Sequence, residues 1–147
     1  MLESNKPGVV IGNWQDLRTL ALPLRMTVFV QEQGVPAELE QDEHDELAIH
    51  AVVRSGNEAL ATGRVVIIEA GLAKIGRLAV AKSMRGKGLG KLVLQSLIEQ
   101  ALSLGAQTIK LHAQCDAQKF YEDLGFVARG DPFMEAGIRH VLMVRTT

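Results

Sequence analysis

The chain has 147 residues, 47% hydrophobic and 22% charged, enough apolar material for one globular domain over residues 1–147 with a buried core. Sixteen basic residues against 17 acidic ones leave a net charge of −1, which excludes the bulk electrostatics of a nucleic-acid binder and the charge excess of a disordered chain. The single cysteine excludes an internal disulfide framework.

Val9 to Ile11 reads as a first strand. Asp16 to Gln31 reads as a helix, because Leu17, Leu20, Leu24 and Val28 recur at spacings of three and four. Pro23 should kink or split it, and Gly34 and Pro36 end it. Six carboxylates crowd the segment from Glu38 to Glu46. Strand patterns follow at His50–Arg54, Leu60–Glu69 and Leu72–Val80, joined by turns too short for a helical crossover, so an antiparallel meander is expected. Arg85 to Gly90 is glycine-rich. Gly90 to Leu104 is the clearest helix, with Val93, Leu94, Leu97, Ile98 and Ala101 on one face. Thr108 to Gln114 alternates, with Lys110, His112 and Gln114 opposite Ile109, Leu111 and Ala113. A short helix from Ala117 to Leu124 ends at Gly125. Phe126–Arg129 and Arg139–Val144 read as closing strands around a loop at Gly130-Asp131-Pro132. The fold class is α/β in the α+β sense: a mixed, mostly antiparallel sheet flanked by helices. Its parallel contact lies between Leu72–Val80 and Thr108–Gln114, which a helix connects.

No apolar run approaches the ~20 residues that a membrane-spanning helix needs. The opening MLESNKPGVVIGNW lacks the basic flank and apolar run of a secretion signal, so a soluble cytoplasmic protein is expected. His44, His50, His112 and His140 show no metal-ligand spacing, and no metal site is expected.

The segment Arg85-Gly86-Lys87-Gly88-Leu89-Gly90-Lys91 sits between a strand and a helix. Its glycines let backbone N–H groups approach a ligand, the helix start adds unpaired donors, and the basic side chains add charge. This is an anion cradle suited to a pyrophosphate; the bland alternative is a basic turn with glycines for tight packing. Neither of two familiar phosphate motifs fits. Counted from Gly86, both the P-loop and the dinucleotide fingerprint require glycine where Lys91 stands.

Arg85-x-x-Gly88-x-Gly90 after a strand resembles the acetyl-CoA signature of the GNAT N-acetyltransferase superfamily. Ala117-Gln118-Lys119-Phe120-Tyr121-Glu122-Asp123-Leu124-Gly125-Phe126 resembles the same family's A-x-x-F-Y-x-x-x-G-F helix, in the right order and separation. The segment Val28 to Pro36, with Glu40, Asp42 and Asp45, further resembles the YjcF-like and ElaA-like bacterial branch. The resemblance implies acetyl-CoA as co-substrate and splayed fourth and fifth strands. Backbone at Leu78, Ala79 and Val80 would pair with the pantetheine arm. N–H groups of Arg85, Gly86, Lys87, Gly88, Leu89 and Gly90, beside Lys91, would hold the pyrophosphate. Gln114, Ala117 and Phe120 would complete the cofactor contacts, Gln114 standing where the family often has asparagine. Transfer to an amine would be direct, with no acyl-enzyme.

Tyr121 falls where the family's general acid often lies, since a phenol is ordinarily protonated at neutral pH; its alternative role is packing. Several members carry a glutamate base on the fourth strand, but Leu72–Val80 contains no carboxylate. The base must then be elsewhere, or water removes the proton. Glu32 and His112 are the candidates, imidazole being a ready proton acceptor near neutral pH; the alternative for His112 is a hydrogen bond to the acceptor or a purely structural role. Cys115 is not expected as a nucleophile, because its odd spacing from His112 puts the two on opposite strand faces. The acidic segment reads either as a solvated face or as a rim that attracts an ammonium substrate; its spacing is not that of an EF-hand. The expected acceptor is a small-molecule or peptide amine, with no nucleic-acid or membrane partner and with room for a homodimer. The competing function is a non-catalytic acyl-CoA-binding or regulatory module of the same fold.

Overall fold

The computed structural model describes residues 8–147; the first seven residues, part of the opening segment read above as carrying no secretion signal, lie outside them. The chain runs β1 (Gly8–Gly12), α1 (Trp14–Arg25), a π-helical turn (Met26–Glu32), α2 (Ala37–Glu40), α3 (His44–Leu47), β2 (Ile49–Ser55), β3 (Glu58–Glu69), β4 (Leu72–Val80), α4 (Leu89–Ser103), β5 (Thr108–Gln114), α5 (Gln118–Glu122), β6 (Val127–Glu135) and β7 (Ile138–Thr146). The strands form one seven-stranded sheet in the order β1-β2-β3-β4-β5-β7-β6. Every neighbouring pair is antiparallel except β4 and β5, which the crossover through α4 makes parallel.

The apolar stripe of α4 buries Val93, Leu94, Leu97 and Ala101 against Val53, Val65, Ile75, Ile109 and Leu111 of the sheet. The helix lies so close over β3 that a Cβ at Gly63 would stand 2.8 Å from Leu97 Cδ1 and 3.1 Å from Val93 Cγ1. On the other face, Trp14, Leu17 and Ala21 of α1 cover Val52, and Leu24 and Val28 cover Ala79.

The helix expected over Asp16–Gln31 divides into α1, from Trp14 to Arg25, and the π turn, from Met26 to Glu32. Asn13 caps it, accepting from the Asp16 N–H at 2.8 Å. Past Pro23, which brings no N–H to the ladder, the Met26 N–H is shared between Leu22 and Pro23 carbonyls and the chain widens into the π turn. The loop expected at Gly130-Asp131-Pro132 is a correction. Those residues lie within β6, where the register with β7 shifts between Arg129 and Phe133, and the turn falls later, at Ala136 and Gly137 (φ 52° and 79°). Pro132 is tolerated because β6 is an edge strand and the bulge needs no ladder donor there.

Candidate active site

The β4–β5 ladder has four pairs, from Leu72↔Thr108 to Ile75↔Leu111, and then stops. Beyond that point β4 stays with β3 as far as Val80↔Ala61, and β5 stays with β7 as far as Gln114↔His140. The two strands diverge, and the backbone edge from Gly76 to Val80 is left without a strand partner on the β5 side. Within β4 the pairing skips from Arg64↔Gly76 to Thr62↔Ala79, and Arg77 takes the left-handed conformation (φ 55°) that marks the bulge. A cavity of about 1220 Å³ fills the opening and is shared by both strands, the π turn and the glycine-rich turn.

At one end lies the cradle. Among the described residues no backbone N–H from Gly86 to Lys91 finds a backbone acceptor; the first to do so is that of Leu92, which donates to the Gly88 carbonyl at 3.1 Å. Gly86 and Gly88 both sit at φ 82°, with nothing within 4 Å of where a Cβ would stand. Leu78, Ala79, Val80, Gln114, Ala117 and Phe120 line the cavity with the cradle residues, whereas the exposed Lys87 does not. Arg85 is committed to the protein: its Nε donates to the Val80 carbonyl at 3.1 Å and its Nη2 to Glu32 Oε1 at 2.6 Å. The Gln114 side chain is likewise committed, donating from Nε2 to Gln33 Oε1 at 2.9 Å.

Tyr121 lines the same cavity and packs edge-on against Phe120 and Phe126. Burial pushes its phenol up to about 12, so it stays protonated through the neutral range. Its hydroxyl makes no hydrogen bond to protein among the described residues.

His112 is the first β5 residue past the last β4 pair, and it faces the cavity. Its Nδ1 stands 2.8 Å from Glu135 Oε1, and its ring meets Phe133 edge-on. A carboxylate at Nδ1 favours the tautomer with the proton there, leaving Nε2 as an acceptor. Sequence reasoning missed Glu135. The misplaced turn had put it outside any strand, and only the extension of β6 brings its carboxylate within hydrogen-bond reach of His112. Glu32, the other base candidate, does not line the cavity, and its carboxylate is held by Arg85.

Of the six carboxylates in the acidic segment, Glu38, Glu43 and Glu46 are exposed, as a solvated face would be, and the other three correct both expectations. Glu40 and Asp45 are almost fully buried, and with Asp42 they face three arginines from other elements. Arg25 donates to Glu40 at 2.6 Å and to Asp45 at 2.8 Å; Arg64 donates to Asp42 at 2.7 Å and to Asp45 at 2.8 Å; Arg77 donates to Asp42 at 3.2 Å and to the Glu40 carbonyl at 2.9 Å. Arg25 also lies over the Trp14 ring at 4.9 Å. Three guanidinium groups balance three carboxylates, so these acids are neither a solvated face nor a cation-attracting rim. Burial raises the Asp42 carboxyl, but hydrogen bonding and charge from Arg64, with Arg77 beside it, bring it down to about 2. Asp45 is depressed too, burial being outweighed by Arg25 and Arg64.

The splayed sheet, the glycine turn and the aromatic helix define an acetyltransferase of the GNAT class. Residues 15–147 match the family described as an acetyltransferase (GNAT) domain, and the chain belongs to that family. It is 36% identical over 138 residues to the uncharacterized N-acetyltransferase YjcF of Bacillus subtilis, covering 93% of this chain and 97% of that protein. The crystal structure of Escherichia coli ElaA superimposes with a TM-score of 0.83 at 26% identity, over 94% of this chain and 99% of that one. A GNAT family acetyltransferase from Elizabethkingia anophelis, crystallised with acetyl-CoA bound, shares the fold at TM-score 0.73 and 16% identity, over 95% of this chain and 98% of that one. No helix among the described residues is long and apolar enough to cross a membrane.

Proposed function

We propose that the protein moves an acetyl group from acetyl-CoA directly to an amine. The observation that carries this reading is the end of the β4–β5 ladder at Ile75↔Leu111, which opens a cavity with six unpaired backbone N–H groups at one end. The residues present fit the co-substrate: the cradle is open at Gly86 and Gly88, and it joins a free strand edge at Gly76–Val80. The acetyl-CoA in the Elizabethkingia anophelis structure is in keeping with this.

Each group then has a task. The N–H groups from Gly86 to Lys91 hold the pyrophosphate, and the β4 edge at Leu78, Ala79 and Val80 pairs with the pantetheine amides. Bound acetyl-CoA supplies an activated thioester carbonyl. His112 Nε2 accepts the proton that the amine loses as its C–N bond forms, and Glu135 fixes the imidazole in that role. The Tyr121 hydroxyl donates a proton to the CoA sulfur as the C–S bond breaks. His112 thus fills the place left by the missing β4 carboxylate, and it is preferred to Glu32, whose carboxylate is occupied outside the cavity.

The test is release of free CoA on mixing the protein with acetyl-CoA and a panel of amines. Amine-dependent thiol release is expected. Tight acetyl-CoA binding by calorimetry with no amine-dependent release would favour the non-catalytic acyl-CoA module instead.

A further inference from the structure

One pair of charges in the cavity has no task in the transfer just described. Glu40, Asp42 and Asp45 are balanced by Arg25, Arg64 and Arg77, and Glu32 by Arg85. On the sheet floor there remain Lys74 and Lys110. They stand directly opposite each other in the parallel β4–β5 ladder, one pair before it ends. Both side chains are half-buried and both line the cavity.

Neither lysine has a carboxylate within 4.0 Å among the described residues. Glu135 shares the cavity, but its Oε1 is taken by His112 at 2.8 Å and its Oε2 lies 4.0 Å from His140. Glu43 is exposed at the rim. Like charges directly opposed on one sheet face are destabilising. Burial lowers the pKa of Lys74; Glu135 opposes that shift, and Lys110, Arg64 and Arg77 add to it. Two lysine side chains with no carboxylate partner among the described residues thus face the cavity side by side, the reverse of the rim that the acidic segment had suggested.

His112 follows Lys110 by two residues on the same strand face, roughly 7 Å along the strand. Val66, opposite Lys74 in the β3–β4 ladder, and Ile68 add an apolar wall. Building on the acetyl-transfer reading, we propose that Lys74 and Lys110 form an anion subsite and that the acceptor is a small amino acid. Its carboxylate seats between the two ammonium groups and its amine reaches His112. A diamine or an aminated neutral molecule leaves the lysine pair unpartnered and meets its repulsion.

The experiment compares size-matched primary amines as acceptors with acetyl-CoA: β-alanine, its amide, aminomethylphosphonate and putrescine. Thiol release and product mass are the readouts. The expected result is a kcat/KM for β-alanine at least tenfold above that for its amide, expressed mainly in KM. In Lys74→Met and Lys110→Met, each verified as folded by its melting curve, this ratio falls toward one, and Lys→Arg at either position restores part of it. Strong use of the phosphonate supports the subsite and widens the anion to other oxyanions. Equal use of acid and amide, preference for putrescine, or a ratio unmoved in both Lys→Met variants overturns the subsite while leaving acetyl transfer intact. Absence of thiol release with every amine overturns both.

Discussion

Glu32 and Arg85 meet across 53 residues of chain, with Oε1 and Nη2 2.6 Å apart, so the end of the π turn is tied to the start of the glycine-rich turn. The pair is partly exposed, and such pairs contribute little, about 0–1 kcal/mol. Its importance is positional. Glu32→Gln is expected to lower turnover by less than about tenfold while making the acetyl-CoA KM more sensitive to salt. A loss of 10²-fold or more in kcat, in the range of a missing general base, would return the base role to Glu32.

His112 and Glu135 should behave as a unit. His112→Ala is expected to reduce kcat/KM for the amine by about 10²-fold or more, with acetyl-CoA affinity retained. Glu135→Gln should cost less, and the double variant should be no worse than His112→Ala alone, since a positioning residue has nothing left to position. Fully additive losses, read as rates under conditions where chemistry limits turnover, would show that the two act separately.

Tyr121→Phe deletes only the hydroxyl. Turnover is expected to fall by ~10²-fold while acetyl-CoA binding stays level, because the proton matters only as the C–S bond breaks. A drop below about threefold would leave Tyr121 the packing role it shares with Phe120 and Phe126.

Two glycines of the cradle separate ligand approach from backbone strain. Gly88 sits at φ 82°, so Gly88→Val carries ~1–2 kcal/mol of left-handed strain and lowers stability as well as binding. Gly90 has no such φ, and a Cβ there meets Val80 Cγ2 at 3.4 Å and Phe120 Cζ at 3.5 Å, ordinary contacts. Gly90→Ala should fold and still weaken acetyl-CoA by ~1–3 kcal/mol, the scale of a lost hydrogen bond. Calorimetry giving unchanged affinity would remove the turn from the site.

The buried ion network sets an acid limit on stability. Asp42 titrates lower in the folded chain than unfolded, so its contribution is present above about pH 4 and drains as pH falls toward 2, and Asp45, also depressed, adds in the same direction. Melting temperature should decline across that window. Arg25→Met removes the 2.6 Å partner of the buried Glu40 and leaves Asp45 with Arg64 alone, and it should destabilise by about 3–5 kcal/mol. A melting temperature unchanged in that variant would contradict the network's structural role.

The amino-acid sequence by itself determined what local chemistry governs. The glycines at Gly86, Gly88 and Gly90, the 3.6-residue stripe of Gly90–Leu104 and the alternation of Thr108–Gln114 announced the turn, its helix and the parallel strand, because each rests on neighbours within a few residues. Motif spacing singled out Tyr121 and the glycine-rich turn, and Tyr121, Gly86, Gly88 and Gly90 line one cavity. Only the tertiary structure decided which distant side chains meet. The carboxylates of Glu38–Glu46 looked solvent-bound because Thr27 to Val53 holds no cation, yet Arg25, Arg64 and Arg77 arrive from a helix and two strands to bury three of them. Glu135 joined His112 because a bulge absorbed the turn expected at Pro132. Lys74 and Lys110 became a pair through the register of two strands that a helix separates. Charge pairing depends on which strands are adjacent and in what register, and both follow from how the whole chain packs.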